Sequence, residues 1–247
     1  MKNLVVVSLL LLSSVSYGEC LLSVRVSDFK PQYYQDEKGR WRGVAVELTQ
    51  ALFKEANCRI KFVKTPWKRG LHLLEYGGID VVLNMSFTKE REVFTHFIGP
   101  MLDETQVMTV KKNSDYIITS LDDIKNLPKR IGIQRGVFYG EAVMSKLKTD
   151  QLFYDRFEYG SNQTNILKLN KDRILGVLSN QYTTVYKIKE VFPKGVYKQH
   201  PFIFFKNNVY FGFSKKGVSE EVREKFVQAL SRLQARGALE DISAKYR

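Results

Sequence analysis

From residue 20 onward, short apolar runs alternate with segments whose apolar residues recur at helical spacing, and few architectures accept that pattern. Residues 21–26 read as a strand, whereas Val44, Leu48, Ala51, Leu52 and Ala56 share one face of a helix. Residues 60–63 and 79–83 repeat the strand pattern, with a helix around 70–76 between them. A second cycle runs through a strand at 130–133, helices at 140–147 and 165–169, and a strand at 174–178. The chain closes on a strand at 209–213 and a helix over 219–234. Strands alternating with helices predict an α/β protein built on mostly parallel sheets flanked by helices. The 247 residues suffice for one large domain or two lobes. With no repeat of fixed period and no low-complexity linker, two lobes would meet at a tight hinge.

Hydrophobic residues at 44% and charged residues at 26% exclude a disordered chain. The net charge is +13, but the basic pairs Lys111-Lys112, Lys129-Arg130 and Lys215-Lys216 are scattered among acids. A nucleic-acid binder gathers its charge into one stripe, so no nucleic-acid partner is expected. Residues 1–18 combine Lys2, an apolar run over 4–12 and a small, polar stretch, the pattern of a secretory signal peptide cleaved after about Gly18. The apolar run is far short of the roughly 20 residues that span a membrane. Glu19 directly before Cys20 argues against a lipid anchor on that cysteine. Export places Cys20 and Cys58 in an oxidising compartment. Each opens one of the first two strands. In a right-handed βαβ unit those strands start at the same edge, within the roughly 4.4–6.8 Å that a disulfide spans. The alternative is two separate buried thiols.

The motifs, in order, are Pro31 followed by Gly39-Arg40-Trp41-Arg42-Gly43, then Gly78-Ile79-Asp80-Val81-Val82, then Ser86-Phe87-Thr88-Lys89-Glu90-Arg91. Further on come Leu121-Asp122-Asp123-Ile124, Ile131-Gly132-Ile133-Gln134-Arg135-Gly136, residues 169–180, Phe213-Ser214-Lys215-Lys216 and residues 242–246. Each is short, but their order and spacing together resemble the bacterial extracellular solute-binding proteins of family 3, periplasmic receptors that include amino-acid-binding proteins. The resemblance implies a two-lobe periplasmic-binding-protein-like clamshell of type II, with lobe 1 over 19–108 and 208–247 and lobe 2 over 109–207. The chain would cross between lobes near 105–111 and 205–210. A small-molecule ligand would lie in the cleft, outside the carboxyl ends of the strands, and be enclosed by hinge closure.

The same resemblance implies that Arg91 clamps a ligand carboxylate, a task that suits the planar guanidinium fork; otherwise Arg91 is a surface residue paired with Glu92 or solvated. Ser86 and Asn84, five and seven positions upstream, would donate to the same anion. Phe29 and Trp67 match pocket positions and would form an apolar or cation-binding wall, unless they are core. Arg69 is a second anion contact or a surface residue. Two positions depart from the family pattern. Asn180 stands where amino-acid binders offer an acid to the ligand ammonium. At Gly136-Val137 a hydroxyl donor is lost, although backbone N–H groups of Gly136 at a helix start would remain for an anion. The implied ligand is a small polar or anionic organic solute, amino-acid-like or a carboxylate, delivered to an ABC-type importer through an inner-membrane permease. A ligand-sensing module for a membrane partner is the alternative. Function is argued from the site, and a dehydratase-like enzyme on this fold finds little support: His72, His96 and His200 lack metal-ligand spacing and no nucleophile elbow appears. Glu104 would reach the cleft as a polar contact or hinge support rather than as a general base. No catalytic residue, metal or cofactor is expected, and a monomer is.

Overall fold

The computed structural model describes residues 20–246; the expected signal peptide at 1–18 lies outside the described residues. The chain opens with β1 (Leu21–Val26), a hairpin of β2 (Tyr34–Gln35) and β3 (Trp41–Arg42), α1 (Val44–Glu55), β4 (Arg59–Lys64), α2 (Trp67–Tyr76), β5 (Val81–Ser86) and the single turn α3 (Lys89–Glu92). Two strands follow almost without interruption, β6 (Thr95–Asp103) and β7 (Gln106–Lys111). After a 3-10 turn come β8 (Ile131–Ile133), α4 (Glu141–Thr149), α5 (Gln151–Tyr154), β9 (Phe157–Tyr159), α6 (Asn162–Asn170), β10 (Gly176–Asn180) and α7 (Gln181–Tyr186). The chain ends with β11 (Tyr197–Gln199), β12 (Asn208–Ser214), α8 (Glu220–Ala235) and α9 (Ala238–Ala244).

The strands form two five-stranded sheets, β4-β1-β5-β12-β6 and β11-β7-β10-β8-β9. In the first, β4, β1 and β5 run parallel, while β12 and β6 are antiparallel additions. In the second, β9, β8 and β10 are parallel, with β7 and β11 antiparallel. The parallel part of each sheet is what the alternation of strand and helix demands, because parallel neighbours need a crossover. The antiparallel part comes mainly from the strands that carry the chain between the sheets.

Register explains the disulfide. Leu21 stands opposite Arg59 at the start of the β1–β4 ladder, so Cys20 and Cys58 fall side by side. They are bonded, with their Cα atoms 4.7 Å apart. The sheets are joined where β6 passes into β7 and where the chain returns. There Gln106 N donates to Phe205 O at 2.7 Å, Phe204 N to Gln106 O at 3.0 Å and Glu104 N to Asn207 O at 2.6 Å. Backbone pairing thus ties the two crossings to each other.

Every residue of β5 is buried, because helices cover both faces of the first sheet. Val81 and Leu83 pack with α1 and α8, whereas Val82 packs with Leu74 of α2, the alternation that a strand imposes; Met85 joins Val82 because the register shifts around the left-handed Asn84. Phe226 of α8 lies 4.7 Å from Phe53 and 4.9 Å from Phe213, ring to ring, so the C-terminal helix completes the core of the first sheet. The second sheet has its own core, around Ile131, Phe153 and Phe157. The strand expected at 79–83 starts two residues later, because Asp80 turns its carboxylate to the N–H and hydroxyl of Ser23, each at 2.7 Å.

Candidate functional site

The three parallel strands of each sheet end at one cavity of about 270 Å³. On one side it is lined by Asp28 and Phe29 after β1, Trp67 after β4, and Asn84 and Ser86 at the end of β5. On the other it is lined by Tyr139 after β8, Asn162 after β9 and Asn180 at the end of β10. Glu104, in the link between β6 and β7, and Gln106, at the start of β7, reach it from the crossing. Carboxyl ends of parallel strands are where side chains converge without interrupting a ladder, the usual place for a ligand in α/β sheets.

Arg91 is in α3, whose start is fixed by Thr88: its hydroxyl accepts from Arg91 N at 3.2 Å. The guanidinium is 9% exposed, a depth at which a cation must be hydrogen-bonded. Nη1 donates to Ser86 O and Nη2 to Gly136 O, both at 2.9 Å, leaving three of its five N–H groups. Burial pulls its pKa down to about 10, so Arg91 is still a cation at neutral pH. Gly136 O also accepts from Trp67 Nε1 at 2.9 Å. Two donors attached to the first sheet therefore meet one carbonyl beyond β8, across the cavity. The Trp67 ring has the Arg91 guanidinium 5.8 Å and the Arg25 guanidinium 5.4 Å from its centroid, within cation–π range.

Other expected contacts are altered by their partners. Both amide hydrogens of Asn84 are spent, on Gln32 Oε1 at 3.1 Å and Glu104 Oε1 at 2.5 Å, so Asn84 cannot donate to an anion as expected. Its backbone is left-handed, with φ 56°, and its Oδ1 is buried without a partner. Ser86 Oγ accepts from Asn207 Nδ2 at 2.7 Å and keeps its own hydrogen. Gly136 does not begin a helix, since α4 starts only at Glu141; with φ 76° it lies in a turn and uses its carbonyl, not the N–H expected there. Asn180 caps α7 by accepting from Thr183 N at 2.9 Å, which directs its oxygen to the helix and leaves its NH₂ for the cavity it lines. Phe29 is half-buried in the lining, 5.8 Å from the Tyr33 ring. Arg69 is exposed and lies outside the lining.

A model describing bacterial extracellular solute-binding proteins, family 3, matches residues 22–247. The chain belongs to that family. This solute-binding protein is 27% identical over 224 residues to a probable histidine-binding protein of Neisseria gonorrhoeae, covering 89% of this chain and 80% of the relative. It is 25% identical to an arginine-binding periplasmic protein of Mannheimia haemolytica, over 63% of each chain. Among solved structures, an ancestral arginine-binding protein bound to arginine superposes with TM-score 0.77 at 26% identity, covering 92% of this chain and 97% of that one. The two-lobe, type II fold and the role of a solute receptor follow from these likenesses.

Sequence reasoning passed over two polar groups in this solute-binding protein's cavity. Arg25 is 2% exposed in β1, with Nε donating to Thr65 O at 2.9 Å and Nη1 to Tyr33 Oη at 2.8 Å. Its stem passes over Gly70, where a Cβ would come within 2.9 Å of Arg25 Cγ. An arginine inside an otherwise apolar strand was the signal. Gln106, at the start of β7, lines the cavity with its buried Oε1 lacking a partner. Glu104, expected at the cleft as a polar contact or hinge support, is 5% exposed, and burial pushes its pKa up to about 8; the Asn84 hydrogen bond opposes this and Asp103 adds to it. Among the described residues no group of three or more His, Cys, Asp or Glu could hold a metal ion, and no helix is long and apolar enough to cross a membrane.

Proposed function

We propose that this solute-binding protein works in the periplasm as a monomeric receptor. It captures a small polar or anionic organic solute, amino-acid-like or a carboxylate, and hands it to the permease of an ABC-type importer. The observation that carries the reading is Arg91: a buried guanidinium at the wall of an interlobe cavity, braced by two carbonyls and with N–H groups to spare for a carboxylate. The relatives named for histidine and arginine point to the same class of solute. In this reading residues 1–18 are removed on export, residues 19–108 with 208–247 form one lobe, and 109–207 form the other. Ser86, Asn180 and the rings of Phe29 and Trp67 complete the contacts. In this reading the receptor binds and releases its solute unchanged.

Thermal melting of the mature protein against amino acids, carboxylates and amines tests this, since a ligand at 100 times its Kd adds about 2.7 kcal/mol. A hit that Arg91→Ala abolishes supports the reading. A folded protein that answers to no carboxylate-bearing compound rejects it. Loss of uptake of the labelled hit on deletion of the gene marks transport rather than sensing.

A further inference from the structure

The cavity contains one acid that no cation neutralises. Of the two acids in its lining, Asp28 is 60% exposed and pairs with Lys64 at 2.6 Å, so it is already satisfied at the rim. Glu104 is 5% exposed, and its carboxylate takes a hydrogen bond from Asn84 Nδ2 at 2.5 Å. Neither guanidinium in the lining bonds Glu104: Arg25 donates to Thr65 O and Tyr33 Oη, Arg91 to the carbonyls of Ser86 and Gly136. Among the described residues no ion pair to Glu104 occurs. Two buried amide oxygens without a partner, Asn84 Oδ1 and Gln106 Oε1, belong to residues of the same lining. Asn180 adds no acceptor, since its oxygen caps α7. The cavity therefore has unspent acceptors and a buried carboxyl group, which a desolvated site tolerates only with a proton or a cationic partner.

We propose that Glu104 is the specificity-determining acid of this receptor: reaching the cavity from the link between β6 and β7, it receives the ammonium or guanidinium of the solute whose carboxylate Arg91 holds. The proposal rests on the receptor reading above. It also predicts a proton account. Burial holds the Glu104 pKa near 8 in the free protein, and a bound cation favours the ionised form, so binding expels the carboxyl proton. The charged and titratable groups facing it are Arg25, Asp28, Tyr33, Arg91 and Tyr139 in the lining and Asp103 beside it, with exposed Lys206 on the returning strand.

Calorimetry with L-arginine and L-histidine at pH 7, in phosphate and in Tris, reads this directly. A group with a pKa near 8 is about 90% protonated at pH 7, so the wild type releases about 0.9 proton per solute bound, and the Kd rises about tenfold per pH unit below 8. Glu104→Gln keeps the acceptor oxygen for Asn84 and abolishes both effects, while Arg91→Ala loses carboxylate binding whichever way Glu104 behaves. Equal proton release in Glu104→Gln, or tighter binding of glutarate than of either amino acid, overturns the proposal and leaves the receptor reading standing. If no carboxylate-bearing compound binds, that reading falls, and the subsite is still tested by methylguanidinium and methylammonium. At pH 8.5 these raise the Tm of the wild type and not of Glu104→Gln if the assignment is right; equal shifts overturn it.

Discussion

Arg91 and Glu104 are chemically opposite and share the same difficulty, an ionisable group held away from water: Arg91 keeps its charge there, while burial holds Glu104 largely protonated at neutral pH. For Arg91 the fork geometry matters as well as the charge, because two of its N–H groups brace the loop while the others are left for the ligand. Arg91→Lys retains the charge and loses the fork, so solute affinity falls by about 10- to 100-fold, in keeping with the roughly 1.5–3 kcal/mol of a hydrogen bond to a charged group. Calorimetry on the compound found by melting checks this. Lys187 offers a separate test. It is 5% exposed beyond α7, its ammonium bonds Asn162 Oδ1 at 2.6 Å, and burial lowers its pKa to about 7. Because the unfolded chain binds that proton up to about pH 10.5 and the folded chain only up to about 7, stability rises with pH across this window. Lys187→Met removes that rise and raises the Tm most at or below neutral pH, readable from melting curves taken between pH 6 and 10. Arg91 was legible in the sequence because its motif is local. Glu104 was legible as a residue of the cleft but not as a buried one, and Lys187 not at all, since a residue's depth depends on which distant segments pack over it.

At the scale of elements, β1 and β4 are held by their ladder and by the Cys20–Cys58 bond that closes it. The two residues are 38 apart, so the bridge removes about 4 kcal/mol of loop entropy from the unfolded chain. The paired change Cys20→Ser with Cys58→Ser lowers the unfolding free energy by about that amount in urea titration. Phe226→Ala empties a fully buried site between Phe53 and Phe213 and costs about 3–5 kcal/mol by the same measurement. The strand at 21–26 was readable to the residue and that at 131–133 to within one residue of the expected 130–133, as apolar runs that helices cover on both faces. By contrast, β6, β7 and β11 left little trace, because strands that cross between sheets pair antiparallel and carry mixed polar and apolar faces. In the first of these, the sequence Thr95–Asp103 is only partly buried.

Across the cavity one carbonyl, Gly136 O, accepts hydrogen bonds from two residues attached to the first sheet, Trp67 and Arg91. Trp67→Phe keeps the ring in the lining and deletes one of the two. A hydrogen bond worth about 0.5–1.5 kcal/mol net predicts an affinity lowered by roughly 2- to 10-fold and an unliganded molecule with a larger radius of gyration in small-angle scattering. The sequence by itself determined the alternation of strand and helix that makes an α/β protein and the ordered motifs, Arg91 among them, that mark a family of solute receptors; it made the two cysteines candidates for a bridge, which the β1–β4 register then decided. Alternation and motifs are properties of neighbours along the chain, set by periodicity and spacing. Only the tertiary structure decided that Asn84 spends its donors on Gln32 and Glu104, that Gly136 offers an oxygen, and that an acid from the link between β6 and β7 reaches the cavity unpaired. Donor direction, burial and the absence of a counter-charge depend on segments far apart in the chain, and those meet only when both sheets bring their parallel strands to a common end.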